Sequence, residues 1–259
     1  MLQPEAVERD RGVKEKTLFL AWQDKGLTHA WFPVGRLDVF TTPSRYRFRY
    51  VKGAERARKD ARFEPLIDFP EWKGDYASSD LFPLFQNRVI SPERRDFASY
   101  LRMLDLPETA EPVEILEVGG GYRATDNLEV FPKIVRRPDG SFRCRFFLHG
   151  MRHVGASARD RLERLQRGEV LYVTLELTNP ATTFAVQIQT TDYQVIGWAP
   201  RYLVNDLMRA MAQSRGYEAR VVRLNPLPAP SKERLLVELS GSWPDYEPMT
   251  AGDFEPLAH

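Results

Sequence analysis

Between Phe142 and Leu207 the hydrophobic pattern changes from a period of two to a spacing of four and back. Phe142, Cys144, Phe146 and Leu148 alternate with Arg143, Arg145, Phe147 and His149, as in a strand with one apolar face. A helix pattern follows: Ser157 is placed to cap, Asp160 sits three residues on, and Leu162 and Leu165 share a face until Gly168. Val170–Leu177 then puts Leu171, Val173, Leu175 and Leu177 on one side of a strand. After the turn Thr178-Asn179-Pro180, Phe184, Val186 and Ile188 alternate with Ala185, Gln187 and Gln189. Gln194–Ala199 is short and carries Gly197, the mark of a bulge or a close backbone approach. Pro200 suits the first turn of a helix in which Leu203, Leu207 and Met211 recur until Gly216. Tyr217–Leu224 and Glu233–Ser240 flank a Pro-rich turn. The pattern predicts six strands between about 141 and 241 and helices near 157–167 and 200–215, a small and partly open barrel.

The first half reads differently. Residues 1–16 are expected to be a disordered leader. Thr17–Gln23 and Ala30–Val39 read as strands around a Gly-containing turn. Tyr46, Phe48 and Tyr50 alternate with Arg45, Arg47 and Arg49. Interleaved Arg and aromatics suit a stacking surface for nucleic acid, but a strand with a buried aromatic face and a solvated Arg face needs the same pattern, and that reading is favoured. Gly53–Ala61 is a small charged helix, and the Pro-broken Phe63–Trp72 drapes over the core. Ser79 caps a helix through Asn87. Ser91-Pro92-Glu93 starts another, with Phe97, Leu101 and Leu104 on one face, and Val113–Val118 is a third. Strands followed by helices predict an α+β unit over 17–118. Gly119-Gly120-Gly121-Tyr122 lacks the Gly-Lys-Ser/Thr of a phosphate loop. Residues 119–140 therefore read as a connecting segment, a flexible glycine join followed by an extended run at Asn127–Pro132. Residues 244–259 read as a tail.

Length and charge narrow the function. A chain of 259 residues has room for one large domain or two small ones. Its net charge of +1 conceals an asymmetry: Arg136–Arg234 holds 16 Lys+Arg against 9 Asp+Glu, a charge of +7. A basic module beside an acidic one suits a polyanion partner, while surface Arg also serves solubility alone. No apolar run approaches a membrane span, so no membrane partner is expected. Met1–Lys16 lacks the apolar core of a signal peptide, and a cytoplasmic location is the expectation. The single Cys144 falls on an apolar strand face and packs as a small hydrophobe. His149 and His153 are four apart but end a strand, and only His29 and His259 exist elsewhere, too few ligands for zinc. Ser141 and Ser157 sit in no strand–turn–helix elbow. Glu93, Asp96, Asp105 and Glu108 read as a solvated acidic face. The expectation is a protein without catalytic centre, metal or cofactor.

Several motifs in order carry a resemblance. Phe146-Phe147-Leu148-His149-Gly150-Met151-Arg152-His153, Gly168-Glu169, Leu177-Thr178-Asn179-Pro180 and Ile196-Gly197-Trp198-Ala199-Pro200-Arg201-Tyr202-Leu203 resemble a HIRAN domain over about 141–243. The resemblance implies a six-stranded OB-like barrel with two helices, in a chain of α+β class. It also implies binding of single-stranded DNA at free 3′ ends, as in the eukaryotic DNA-remodelling helicases, in the manner of a DNA-repair accessory. Carried over position by position, the binding residues are Arg152 and His153, then Asn179 and Thr182, then Trp198 and Arg201. His153 stands where an aromatic is usual, and still stacks on a base or donates to phosphate. Ala181, Thr182 and Phe184 depart from the aromatic, acidic and Asn positions of the pattern, removing a stacking platform and a carboxylate for the terminal hydroxyl. Trp198 offers a stacking face and Arg201 a phosphate contact, whereas Trp198 as barrel core, Asn179-Pro180 as a plain turn and Arg152 as a partner of the N-terminal unit are the bland alternatives.

In the N-terminal half, Val34-Gly35-Arg36-Leu37, Pro65-Leu66-Ile67 and Leu81-Phe82-Pro83-Leu84-Phe85-Gln86-Asn87-Arg88 are similar to the small N-terminal subdomain of HipA-type toxin kinases. That likeness implies a fold and a regulatory contact, with no phosphoryl transfer. Three functions follow as expectations: a nucleic-acid-binding module, a protein-interaction module whose basic barrel meets an acidic protein or its own N-terminal unit, and a regulator acting on a separate toxin-type kinase.

Overall fold

The structure is a computed structural model that describes residues 13–42, 44–180, 183–213, 216–243 and 245–258. Its N-terminal part holds strands β1 (Val13–Gln23), β2 (Trp31–Thr42) and β3 (Ser44–Tyr50), helix α1 (Lys52–Ala61), strand β4 (Asp75–Ser78), helices α2 (Pro83–Gln86), α3 (Phe97–Met103) and α4 (Pro112–Gly119), and strand β5 (Leu128–Pro132). The five strands form one antiparallel sheet in the order β4-β3-β2-β1-β5. The barrel part holds β6 (Ser141–Phe147), α5 (Ala156–Leu162), β7 (Val170–Asn179), β8 (Thr183–Gln189), β9 (Val195–Trp198), α6 (Val204–Gln213), β10 (Glu218–Leu224) and β11 (Leu235–Ser242). These six strands run antiparallel in the order β6-β11-β10-β7-β8-β9. Beyond β6, His149 bridges to Trp198 on β9, the N–H of each bonding the carbonyl of the other at 2.9 and 3.0 Å. This bridge joins the two ends of the sheet. Gly197 permits it, since a Cβ there would stand 3.0 Å from the His149 carbonyl oxygen.

The run Leu18-Phe19-Leu20-Ala21 is buried on both faces. Leu18 and Leu20 join a core with Phe32, Phe48, Tyr50 and helix α1, whereas Phe19 and Ala21 join the core of the barrel. Alternate side chains of one strand thus serve two cores, and the near-continuous apolar stretch follows from that. On β5, Val130 faces the first core and Phe131 the second. Phe131 stacks on Tyr202 with ring centroids 3.9 Å apart, a pair worth about 0.5–1.5 kcal/mol beyond its burial. Leu101 of α3, Leu104 just after it and Ile115 of α4 pack on Phe147, Val222 and Leu236 of the barrel.

Several local expectations are corrected. Residues 13–16 belong to β1, and residues 1–12 of the expected leader lie outside the described residues. The helix expected from Ser79 shrinks to Pro83–Gln86, and the one from Ser91 begins at Phe97. Helix α5 begins at Ala156 with Gly155 as its N-cap and ends at Leu162, so Ser157 lies inside the first turn, where its hydroxyl donates to Gln194 Oε1 at 3.0 Å. Residues 119–140 are more than a connection. Arg88 bonds the Gly121 carbonyl and pairs with Asp126, and β5 completes the first sheet. The tail folds back: Met249 and Phe254 are buried in the barrel core, and Leu257 N–H bonds the Tyr50 carbonyl at 2.9 Å.

Candidate functional site

The closing bridge sets the site. Gly150 follows it in the left-handed region at φ 71°, and a Cβ there would stand 2.5 Å from Trp198 Cε3. The Trp198 ring therefore lies directly on the backbone of residue 150. Trp198 is half-buried and outside the apolar cores, so it is not simply barrel core. Its indole N–H donates to Glu176 Oε2 at 2.8 Å, and Asn179 Nδ2 donates to the same oxygen at 2.9 Å. The Asn179 hydrogen bond holds the Glu176 carboxyl below the usual range, desolvation opposes it, and the bonds from Trp198 and Gln187 add to the lowering. A fixed anion thus orients both the ring and the end of β7. Glu176 was no sequence candidate, since it looks like any outward residue of an alternating strand.

Arg152 and His153 follow Gly150 in a 3-10 turn, Met151–His153, and both are exposed. Arg152 Nε donates to His153 Nε2 at 2.9 Å. Among the described residues Arg152 has no carboxylate at ion-pair distance, so it is not the partner of the N-terminal unit. Arg201 has that role: its Nη1 donates to the His29 carbonyl in the β1–β2 loop at 3.1 Å, and burial lowers its pKa. The phosphate contact expected of Arg201 thus gives way, at one nitrogen, to a brace between the units. Thr182 and Ala181 lie outside the described residues. Phe184 is 45% exposed.

Behind the bridge lies a second cluster. Glu129 on β5 is buried, accepts the Tyr202 hydroxyl at 2.6 Å and stands 3.4 Å from His149 Nε2. Burial pushes the Glu129 carboxyl up, but His149, Tyr202 and Lys232 outweigh it and hold it below the usual range. A cavity of about 40 Å³ adjoins it, lined by Tyr122, Glu129, His149, Tyr202 and Lys232 among others.

The barrel's positive surplus is partly used internally. Arg145 and Arg167 meet Asp105 of the N-terminal unit, Arg161 pairs with Glu169 and Asp192, and Arg234 pairs with Glu163. The Arg face of β3 is likewise committed, Arg47 to Asp75 and Arg49 to Asp38. Cys144 is buried, and burial pushes its thiol up to about 12. Among the described residues no helix is long and apolar enough to cross a membrane, and no three His, Cys, Asp or Glu side chains are grouped to hold a metal.

A search of curated proteins finds no match. Among solved structures, a protein from Lactobacillus plantarum is similar at 19% identity and a TM-score of 0.32, over 39% of this chain and 99% of that one. The HIRAN domain of human HLTF is similar at 15% identity and a TM-score of 0.27, over 42% of this chain and 79% of that one. The likeness of the N-terminal half to HipA-type kinases is not shown by these matches. The barrel is placed by the family model instead: residues 141–242 match the HIRAN domain.

Proposed function

We propose that the barrel binds single-stranded nucleic acid, DNA with a free 3′ end in first place, without catalysing a reaction on it. The observation that carries this reading is the partly exposed Trp198 ring, held by Glu176 and seated on Gly150 beside exposed Arg152 and His153. A flat face fixed next to a cation is what an unpaired base and its phosphate require, and base–aromatic stacking is worth about 1–3 kcal/mol per base. The match of residues 141–242 to the HIRAN domain supports the DNA-end reading. Glu176 supplies a carboxylate beside Asn179, in a sequence that has Thr182 at the family's acidic position.

The test is binding of labelled single-stranded oligonucleotides by wild type and Trp198→Ala, with thermal unfolding of both. Trp198→Ala is expected to weaken binding about tenfold or more while the fold persists. A wild type that binds no single strand at low salt would refute the reading.

One observation favours a second reading, a protein-interaction module. Leu175, Leu177 and Phe184 are exposed on the β7–β8 hairpin, 37, 58 and 45% respectively. Such an apolar patch suits a protein partner. Regulation of a toxin-type kinase through the N-terminal unit belongs to this second reading.

A further inference from the structure

We propose that the nucleic-acid track leaves the barrel and continues along the seam between the two units, with Lys25, Lys232 and Arg152 as phosphate contacts and Trp31 and Tyr122 as stacking faces. The proposal rests on the single-strand reading above and extends it to the N-terminal unit.

The seam is a chain of contacts between partly buried and exposed side chains. Lys232 Nζ lies 3.8 Å from the ring centroid of Tyr122 and 5.9 Å from that of Trp31. Trp31 lies 6.3 Å from the His149 ring, and the His149 backbone is bridged to Trp198. Rings and cations therefore run from Trp198 to Tyr122. Trp31 belongs to β2, and Lys25 to the loop before it. That loop is held in shape. Asp24 accepts the N–H groups of Gly26, Leu27 and Thr28, and Arg201 grips the His29 carbonyl.

Charge says what the seam takes. Lys232 is partly buried, which lowers its pKa. Glu129 opposes the lowering, and the nearby Lys25 and Arg152 add to it. Among the described residues none of the three cations has a carboxylate at ion-pair distance. Glu129, the nearest counter-charge, already accepts from Tyr202 and faces His149. Lys232, partly out of water, is repelled by exposed Lys25 and Arg152, and a line of phosphates would relieve that repulsion. Tyr122 is 47% exposed, so part of its ring is open to a base. Cations interleaved with aromatic faces along a groove suit a single strand, whose bases are free to stack.

The experiment measures polarisation of labelled oligo-dT of about 6 and about 20 nucleotides, the shorter within and the longer beyond the ~4–16 nucleotides that one small barrel covers. The proteins compared are wild type, Lys25→Glu, Lys25→Glu/Lys232→Gln and Trp198→Ala. Lys25 is exposed, so its single variant keeps the test valid should the double variant fold poorly. Wild type is expected to bind the longer strand about tenfold tighter or better. The lysine variants should keep the short-strand affinity, lose most of that gain, and flatten the salt dependence by about 0.7 in log–log slope for each phosphate no longer neutralised. Lysine variants that match wild type on both lengths, with Trp198→Ala weak on both, would overturn the seam and leave the barrel reading standing. Equal losses on both lengths would also overturn it, since they point to a general field. Failure of wild type to bind either strand would overturn both.

Discussion

Gly150 carries the Trp198 ring on its bare Cα: an added Cβ would meet Cε3 at 2.5 Å and Cζ3 at 3.0 Å. The φ of 71° at this residue is a second reason for glycine. Gly150→Ala is therefore expected to cost about 1–3 kcal/mol through strain and overpacking. In a chain of this size that lowers Tm by about 2–4 °C per kcal/mol. Oligonucleotide binding should fall along with it, because the ring must tilt off its seat. A variant that melts and binds as wild type would separate Gly150 from the site.

Glu176 gathers Trp198 and Asn179 on one oxygen, so Glu176→Ala should free both. Hydrogen bonds to a charged group are worth about 1.5–3 kcal/mol, and single-strand affinity is expected to fall about tenfold. The carboxyl is held below its usual range. Its support of the site is thus fully present above the unfolded pKa of about 4.3, and is lost as pH falls through the lower folded value. Near-ultraviolet circular dichroism, followed from neutral pH downward, should show the tryptophan signal constant to about pH 5 and decaying below it. Glu176→Gln should remove that decay.

The barrel was legible in the chain because each of its strands turns one face inward. Phe142, Cys144 and Phe146 are buried, as their alternation with Arg143 and Arg145 predicts. Helix starts were less legible. A serine caps only from the residue just before the first turn, and α5 already begins at Ala156, one residue ahead of Ser157. The run Asn127–Pro132 was legible as extended, but its place in the first sheet was not, and the tail was missed, because their partners are remote in sequence: β5 pairs with β1, and Pro256 bridges Val51. In the site, Trp198 and Asn179 carried motif signals. Glu176, Lys232 and Lys25 carried none. Their meaning arises only when folding brings Glu176 to a ring 22 residues away, and Lys232 to aromatics of the other unit.

Tyr202 ties the barrel to the N-terminal sheet through its hydroxyl on buried Glu129. The other carboxylate oxygen, Oε2, is buried without a protein hydrogen bond. Tyr202→Phe would therefore leave a buried carboxylate short of its donor, at a cost of about 1–3 kcal/mol. Glu129 sits below the usual carboxylate range despite its burial. Its contribution is present above a pH of about 4.3 and is lost as pH falls through the folded value. Tyr202→Phe should thus lower Tm by several degrees at neutral pH, with the gap to wild type closing in acid. A gap that stays the same across that range would assign the loss to ring packing on Phe131 instead.

The C-terminal segment is expected to be part of the folding unit. Phe254 meets Phe19 edge-on at 4.8 Å, and Met249 is buried beside the barrel. Asp206 of α6 accepts the Tyr246 hydroxyl at 2.7 Å and the Met249 N–H at 3.2 Å. Phe19 belongs to β1, so the segment packs against both units at once. Removing a buried Phe side chain costs about 3–5 kcal/mol, which for a chain of this size predicts a Tm lower by about 10 °C in Phe254→Ala. Ending the chain after Asp245 removes Met249, Phe254 and the Val51–Pro256 bridge together, and should cost more than Phe254→Ala alone. Hydrogen exchange would locate the effect. Amides of β1 and of β3 at Tyr50 should lose protection in the truncated chain, while amides of β8 and β9 keep theirs. Unchanged protection at β1 would show that the segment rests on the sheet without supporting it.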